Sequence, residues 1–235
     1  MQDRLEQALS AMAGHPVRSA SAGRTDAGVH ALAQVVHFDT GAYRPVPAWV
    51  RGVNTLLPPT IAVQWAHPVP DEFHARFSAR ERCYRYLLLN QPVRPAILEG
   101  KAGWHHAPLD LGAMQAAAAL AAGVHDFSAF RAAQCQAKSP VKDLRRITVS
   151  QRGNVFVFEL CADAFLHHMV RNIVGSLVYV GKGKYPPSWM GVLLEGGDRG
   201  MAAPTFAPDG LYLTGIGYDP HWGLPEFTPR QLILA

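Results

Sequence analysis

Asp26 is the residue whose setting raises a chemical question. It follows Arg24 and Thr25 between apolar stretches that read as strand, and Gly28 comes two positions later. An Asp followed so closely by Gly is ordinary turn chemistry, because the carboxylate accepts a local N–H while glycine takes a positive φ. The same carboxylate, held ionised in a cleft by an arginine, is a nucleophile or a base. A second stretch offers binding rather than bond making. Arg76, Arg80, Arg82 and Arg85 interleave with Phe77, Tyr84 and Tyr86, and Phe73 and His74 precede them. Guanidinium groups pair with phosphate and aromatic faces accept unstacked bases, so the mixture suits a nucleic acid with an extruded or single-stranded nucleotide. A solvated strand face with core aromatics accounts for the same residues equally well. A further basic reach, Arg131, Lys138, Lys142, Arg145, Arg146 and Arg152, is interrupted only by Asp143 and reads either as phosphate contact or as charged surface.

Other chemistries find little support. The histidines number 11, but His30 and His37 lie seven apart and His167 and His168 are adjacent, which matches no helix-borne ligand pattern, so no metal site is expected. There is no P-loop, no G-x-G-x-x-G and no G-x-S-x-G. Cys83, Cys135 and Cys161 are an odd, scattered set, which suggests neither a disulfide framework nor a thiolate zinc site and fits a reducing cytoplasm. At 235 residues and 49% hydrophobic the chain can bury a sizeable core. Its net charge of +4 points weakly to a polyanionic partner. The N-terminus has no signal-peptide core, and the longest charge-free reach, Gly52 to Pro70, carries four prolines and cannot be a continuous spanning helix. A soluble protein with no membrane partner is expected.

These residues need elements to hold them. The chain starts inside a helix, with Leu5, Leu9 and Met12 at helical spacing. Strands are predicted at Val17 to Ala22, Val35 to Asp39 and Ile61 to Trp65, with a helix at Pro47 to Leu57. A soft domain boundary is placed near Pro70 to Glu72. The arginine-studded stretch to Asn90 is strand-like, and Leu109 to Ala122 is a helix ended by Gly123. "DLRRITVS" and "NVFVFELC" form a hairpin across "QRG". Leu166, Met169, Val170, Ile173, Val174, Leu177 and Val178 mark one long amphipathic helix whose polar face carries His167, His168, Arg171, Asn172 and Ser176. A short helix at Ser188 to Leu194 and a strand at Leu211 to Tyr218 follow. The class is α+β with a largely antiparallel sheet.

"GRTDAGVHA" (23–31), "FHARFSA" (73–79), "YRY" (84–86), "FLHHMVRNIVG" (165–175) and "GLYL" (210–213), in order through nearly the whole chain, resemble the tRNA pseudouridine synthase A family. The resemblance implies the pseudouridine synthase fold, two ferredoxin-like halves with helices on one face, here divided as 1–72 and 73–235. It implies a cytoplasmic homodimer that converts uridines 38, 39 and 40 of the tRNA anticodon arm to pseudouridine without metal or other cofactor. Asp26 matches the family's catalytic aspartate. Arg171 would pair with it, Tyr84 would stack on the target base, Arg24 would help flip the nucleotide, Leu211 would wall the pocket, and Arg76 with the basic reaches would track phosphates. Attack at C1′, addition to the uracil ring and removal of a ribose proton all stay open as the role of Asp26. The family also carries an N-terminal strand and a glycine-tryptophan-glutamine loop ahead of the first helix. This chain begins inside that helix, so a start codon recorded too late is expected. Two further readings are a non-catalytic tRNA-binding or folding module and metal-dependent hydrolysis by His167 and His168.

Overall fold

The computed structural model describes residues 1–225. In chain order the elements are α1 (Gln2–Ala13), β1 (Ser19–Ser21), β2 (His30–Ala31), β3 (Val36–Phe38), α2 (Val46–Leu56), β4 (Ala79–Asn90), β5 (Gly103–His105), α3 (Leu111–Leu120), β6 (Gly123–Asp126), β7 (Val141–Leu144), β8 (Arg146–Arg152), β9 (Val155–Ala162), α4 (Met169–Gly181), α5 (Trp189–Gly196) and β10 (Leu211–Tyr218). They fall into two compact units. One comprises Met1–Arg24, Gln34–Ala79 and residues 218–225, the other Thr25–Ala33 and Arg80–Gly217. The Asp26 turn lies in the second unit.

In the first unit α1 and α2 pack through Ala8, Leu9, Ala13, Val17 and Val53. Gly14, at φ 77, ends α1 by adopting the left-handed conformation that a Cβ would oppose. Glu6 fastens the helix to β1: its carboxylate accepts from the Ser19 N–H, the Ser19 hydroxyl, the Gln2 amide and Arg18. Those donors hold its pKa down at about 2 against the opposing effect of burial. Strand β1 pairs antiparallel with β3. The expected strand at Ile61 to Trp65 does not form. Asn54 on α2 takes its place as a partner, donating to the Val63 carbonyl at 2.8 Å and accepting from the Val63 N–H at 2.7 Å, so the backbone groups are satisfied without a neighbouring strand.

The second unit holds a sheet of order β2-β10-β4-β9-β8, with β5 beside β4. The β4–β9 and β8–β9 pairs are antiparallel, whereas β2–β10 and β4–β5 are parallel, so the α+β expectation holds with a mixed sheet. Period-two alternation decides the two faces. Tyr86 and Leu88 of β4, Phe156, Phe158 and Leu160 of β9 and Ile147 and Val149 of β8 meet α3 and α4, including Met114, Met169, Ile173 and Leu177. The seven apolar positions that marked the long helix are all buried. On the opposite face Leu87, Val157 and Tyr212 form a smaller cluster.

Three local expectations change. Gly123 does not cap α3; the helix stops at Leu120, and Gly123, at φ 101, opens β6. Helix α4 begins at Met169, so His167 and His168 stand ahead of it rather than on its polar face. Cys83 and Cys161 are joined by a disulfide, because register sets them directly opposite on β4 and β9 with Cα atoms 4.2 Å apart. A sequence separation of 78 gives no hint of that pairing, and the bridge removes the cysteine argument for a reducing compartment. No helix among the described residues is long and apolar enough to cross a membrane.

Candidate active site

Asp26 to Val29 makes a tight turn in which the Val29 N–H donates to the Asp26 carbonyl at 3.1 Å. Gly28 has φ 83, and a Cβ there would meet Pro208 Cγ at 2.9 Å, so glycine is needed for both conformation and space. The turn feeds β2, whose residues His30 and Ala31 pair with Tyr212 and Leu213 of β10. The expected turn forms and Gly28 takes the expected positive φ, but the backbone carbonyl of Asp26, not its carboxylate, accepts the local N–H, and the turn presents the carboxylate to α4.

Arg171, in the first turn of α4, donates from Nη1 to Asp26 Oδ2 at 2.9 Å and from Nε to the Phe206 carbonyl at 2.8 Å. Two fixed acceptors aim a planar guanidinium more tightly than one. His168 Nε2 lies 3.1 Å from the same carboxylate oxygen and His167 Nε2 lies 3.3 Å from Oδ1. Their rings lie against each other at 3.9 Å. His168 is the one non-glycine residue with positive φ among those described, at 64, a conformation His tolerates better than most residues do. Burial pushes its imidazole below the ordinary value, and His167, Arg171 and Arg199 add to that against the pull of Asp26. Asp26, His167 and His168 could together hold a metal ion. Arg171 on Oδ2 opposes one by charge repulsion.

The carbonyl that aims Arg171 belongs to a loop locked onto α4 from inside. Asn172 is fully buried, donates to the Phe130 carbonyl at 2.7 Å, and accepts from Thr205 at 2.7 Å and Arg199 at 3.1 Å. Ser176, also fully buried, donates to the Asn172 carbonyl and accepts from the Ala203 N–H. The expected polar face of α4 is thus a buried hydrogen-bond network, not a face toward water. Sequence periodicity saw its polar residues and had no means of supplying the loop that covers them.

Tyr84 lies on the same face of β4 as the α4-packed core and meets Phe165 edge-on at 5.1 Å. Burial, with the charge of Asp26 adding to it, pushes its phenol up to about 12, so the ring is neutral at pH 7. Leu211 is buried at the start of β10. Asp26, Arg171, Tyr84 and Leu211 all belong to the second unit, whereas Arg24 and Arg76 belong to the first, and both are exposed. Several other basic residues are engaged within the protein. Arg82 donates to the Asp163 carbonyl, Arg85 pairs with Glu159 behind 9% exposure, Arg131 donates to the Cys135 and Ala137 carbonyls, and Arg145 pairs with Glu81 and Asp143. These four thus have partners within the protein. His167 and His168 are the site residues that sequence reasoning underrated; their adjacency to Arg171 was the available signal.

Comparison with known proteins identifies the family. The family model described as tRNA pseudouridine synthase matches residues 1–78 and 117–219. A tRNA pseudouridine synthase A of Methylobacillus flagellatus is 64% identical over 99% of this chain and 88% of its own length. Proteins of the same name from Dechloromonas aromatica and Nitrosomonas eutropha are 62% and 60% identical, over 96% and 97% of this chain and 86% and 82% of theirs. The chain belongs to the tRNA pseudouridine synthase family.

Proposed function

We propose that this protein is a tRNA pseudouridine synthase that isomerises uridines 38, 39 and 40 of the anticodon arm, with Asp26 as its catalytic residue. The observation that carries the reading is the ion pair between Arg171 and Asp26, the second bond of Arg171 to the Phe206 carbonyl fixing its direction. The reaction breaks the N1–C1′ glycosidic bond, turns the uracil and joins C5 to C1′; N1 gains a proton and C5 loses one, so the balance closes without a redox partner or a nucleotide. A carboxylate is suited to the sugar or the ring because it is anionic and small. Arg171 keeps it aimed and balances its charge. The neutral ring of Tyr84 stacks on the base before and after it turns, since a π-face accepts uracil and pseudouridine alike. Leu211 walls off water from the detached base. Arg24 assists extrusion of the nucleotide and Arg76 meets phosphate. The division at 72 into two ferredoxin-like halves, the homodimer, the cytoplasmic setting and the absence of a metal remain parts of this reading.

The test is incubation of the folded protein with an unmodified tRNA transcript, followed by mapping of pseudouridine in the anticodon arm. Product at 38 to 40 from the wild type and none from Asp26→Asn is the expected result. A folded wild type that yields no pseudouridine removes the reading, and product at other positions removes the site assignment.

A further inference from the structure

The stretch Phe73 to Ala79 takes no part in the carboxylate chemistry, yet its geometry in the first unit is tightly determined. Phe77 is 77% exposed, which for a single surface phenylalanine would need no explanation. Its ring, however, is the open end of a row of ring contacts. Phe77 lies 4.3 Å from the His74 ring at 35°, and His74 lies 4.4 Å from the His37 ring at 59°. At the inner end of the row, His37 meets the buried Phe73 edge-on.

The backbone carrying Phe77 is pinned at both sides of that ring. His74 Nδ1 accepts from the Arg76 and Phe77 N–H groups, its own N–H donates to the Ser78 hydroxyl, and the Ser78 N–H returns to the His74 carbonyl. The Ala75 N–H donates to His37 Nδ1, and the Tyr218 hydroxyl donates to the Ala75 carbonyl at 2.7 Å. Little entropy is left for a ligand to remove. The Arg76 guanidinium carbon lies over the Phe77 ring, 5.8 Å from its centre, which puts positive charge against the exposed aromatic group. A rigid, exposed aromatic face with a guanidinium beside it fits a flat, anionic-backbone partner better than an aliphatic one.

We propose that Phe77 is a stacking platform for an unpaired base of the RNA substrate, at the open end of the row of rings begun by His37 and His74. The proposal rests on the reading of the protein as one that acts on tRNA. It gives to Phe77 in particular the base contact that the sequence offered only for the mixture of arginines and aromatics as a whole.

The test compares Phe77→Ala, Phe77→Leu and Phe77→Tyr for affinity to an unmodified tRNA transcript and for KM and kcat of pseudouridine formation. Melting temperature is followed in each. Stacking requires that Ala and Leu both weaken affinity about tenfold, the alanine-substitution scale for one stacked base, and raise KM in step. Tyr should retain wild-type affinity, and kcat at saturating tRNA should be unchanged in all three. Wild-type affinity in Phe77→Ala overturns the proposal, as does wild-type affinity in Phe77→Leu, which would mean that bulk and not a π-face is wanted. If Ala lowers the melting temperature, the Leu-to-Tyr contrast decides by itself. A wild type that binds tRNA without isomerising it would defeat the enzyme reading while leaving the affinity comparison intact.

Discussion

The Asp26 turn and the 73–79 loop use similar residues to opposite ends. Each puts an arginine, a histidine and an aromatic ring within a few residues or a few ångströms of one another. At the turn the arginine is aimed inward: Arg171 is 13% exposed at its side chain and bonds to a carboxylate and a carbonyl, and polar groups behind it are fully buried. At the loop the imidazoles accept backbone N–H groups instead, and the aromatic ring is left facing solvent. The lesson is that one residue vocabulary has its charges satisfied by protein at the turn and leaves an aromatic ring exposed at the loop.

That contrast makes ordered predictions. Asp26→Asn should lower kcat by on the order of 10³-fold or more while tRNA affinity stays near wild type, the reverse of what is expected at Phe77. Single-turnover kinetics with a binding isotherm on the same sample checks it, and a large loss of affinity would dissolve the distinction between the two regions. Arg171→Lys should cost roughly 10²-fold in kcat, because an ammonium cannot hold both the carboxylate and the Phe206 carbonyl in one plane. Asn172→Ala leaves Arg199, Thr205 and the Phe130 carbonyl short of a buried partner, so about 1–3 kcal/mol of stability should go, read in a denaturant titration, with a smaller fall in kcat as the Arg171 aim loosens.

The smallest effect concerns acid. Glu6 has its pKa depressed from the ordinary 4.5 to about 2, so its contribution is complete above 4.5 and is lost as pH falls through about 2. Glu6→Gln should therefore unfold more easily at pH 7 and flatten the acid limb of the first unit. Circular dichroism melts at pH 7 and pH 3 would detect the change, and identical pH dependence in the two proteins would refute it.

Much was legible beforehand where one element carries the whole signal. The α4 stripe from Met169 to Val178 is buried as its spacing required, and the β8–β9 hairpin and the β10 strand stand where alternation and turn residues put them. The pairing of Arg171 with Asp26 was legible through the family motifs. Less was legible where satisfaction comes from a distant segment. Asn54 replaced a strand at Val63, the 199–206 loop covered Asn172 and Ser176, and β-register joined Cys83 to Cys161. No local period encodes any of these, because each partner lies outside the window in which a period is read.

By itself the sequence determined the classes of element, the apolar stripes and the residue types available for chemistry, since local sterics and burial periodicity act on neighbours along the chain. Only the tertiary structure decided that His167 and His168 stand against Asp26, that Arg171 is aimed by a carbonyl 35 residues away, and that Phe77 is the bare end of three rings. Directional bonds and ring contacts depend on positions in space, and those exist only once distant segments have packed.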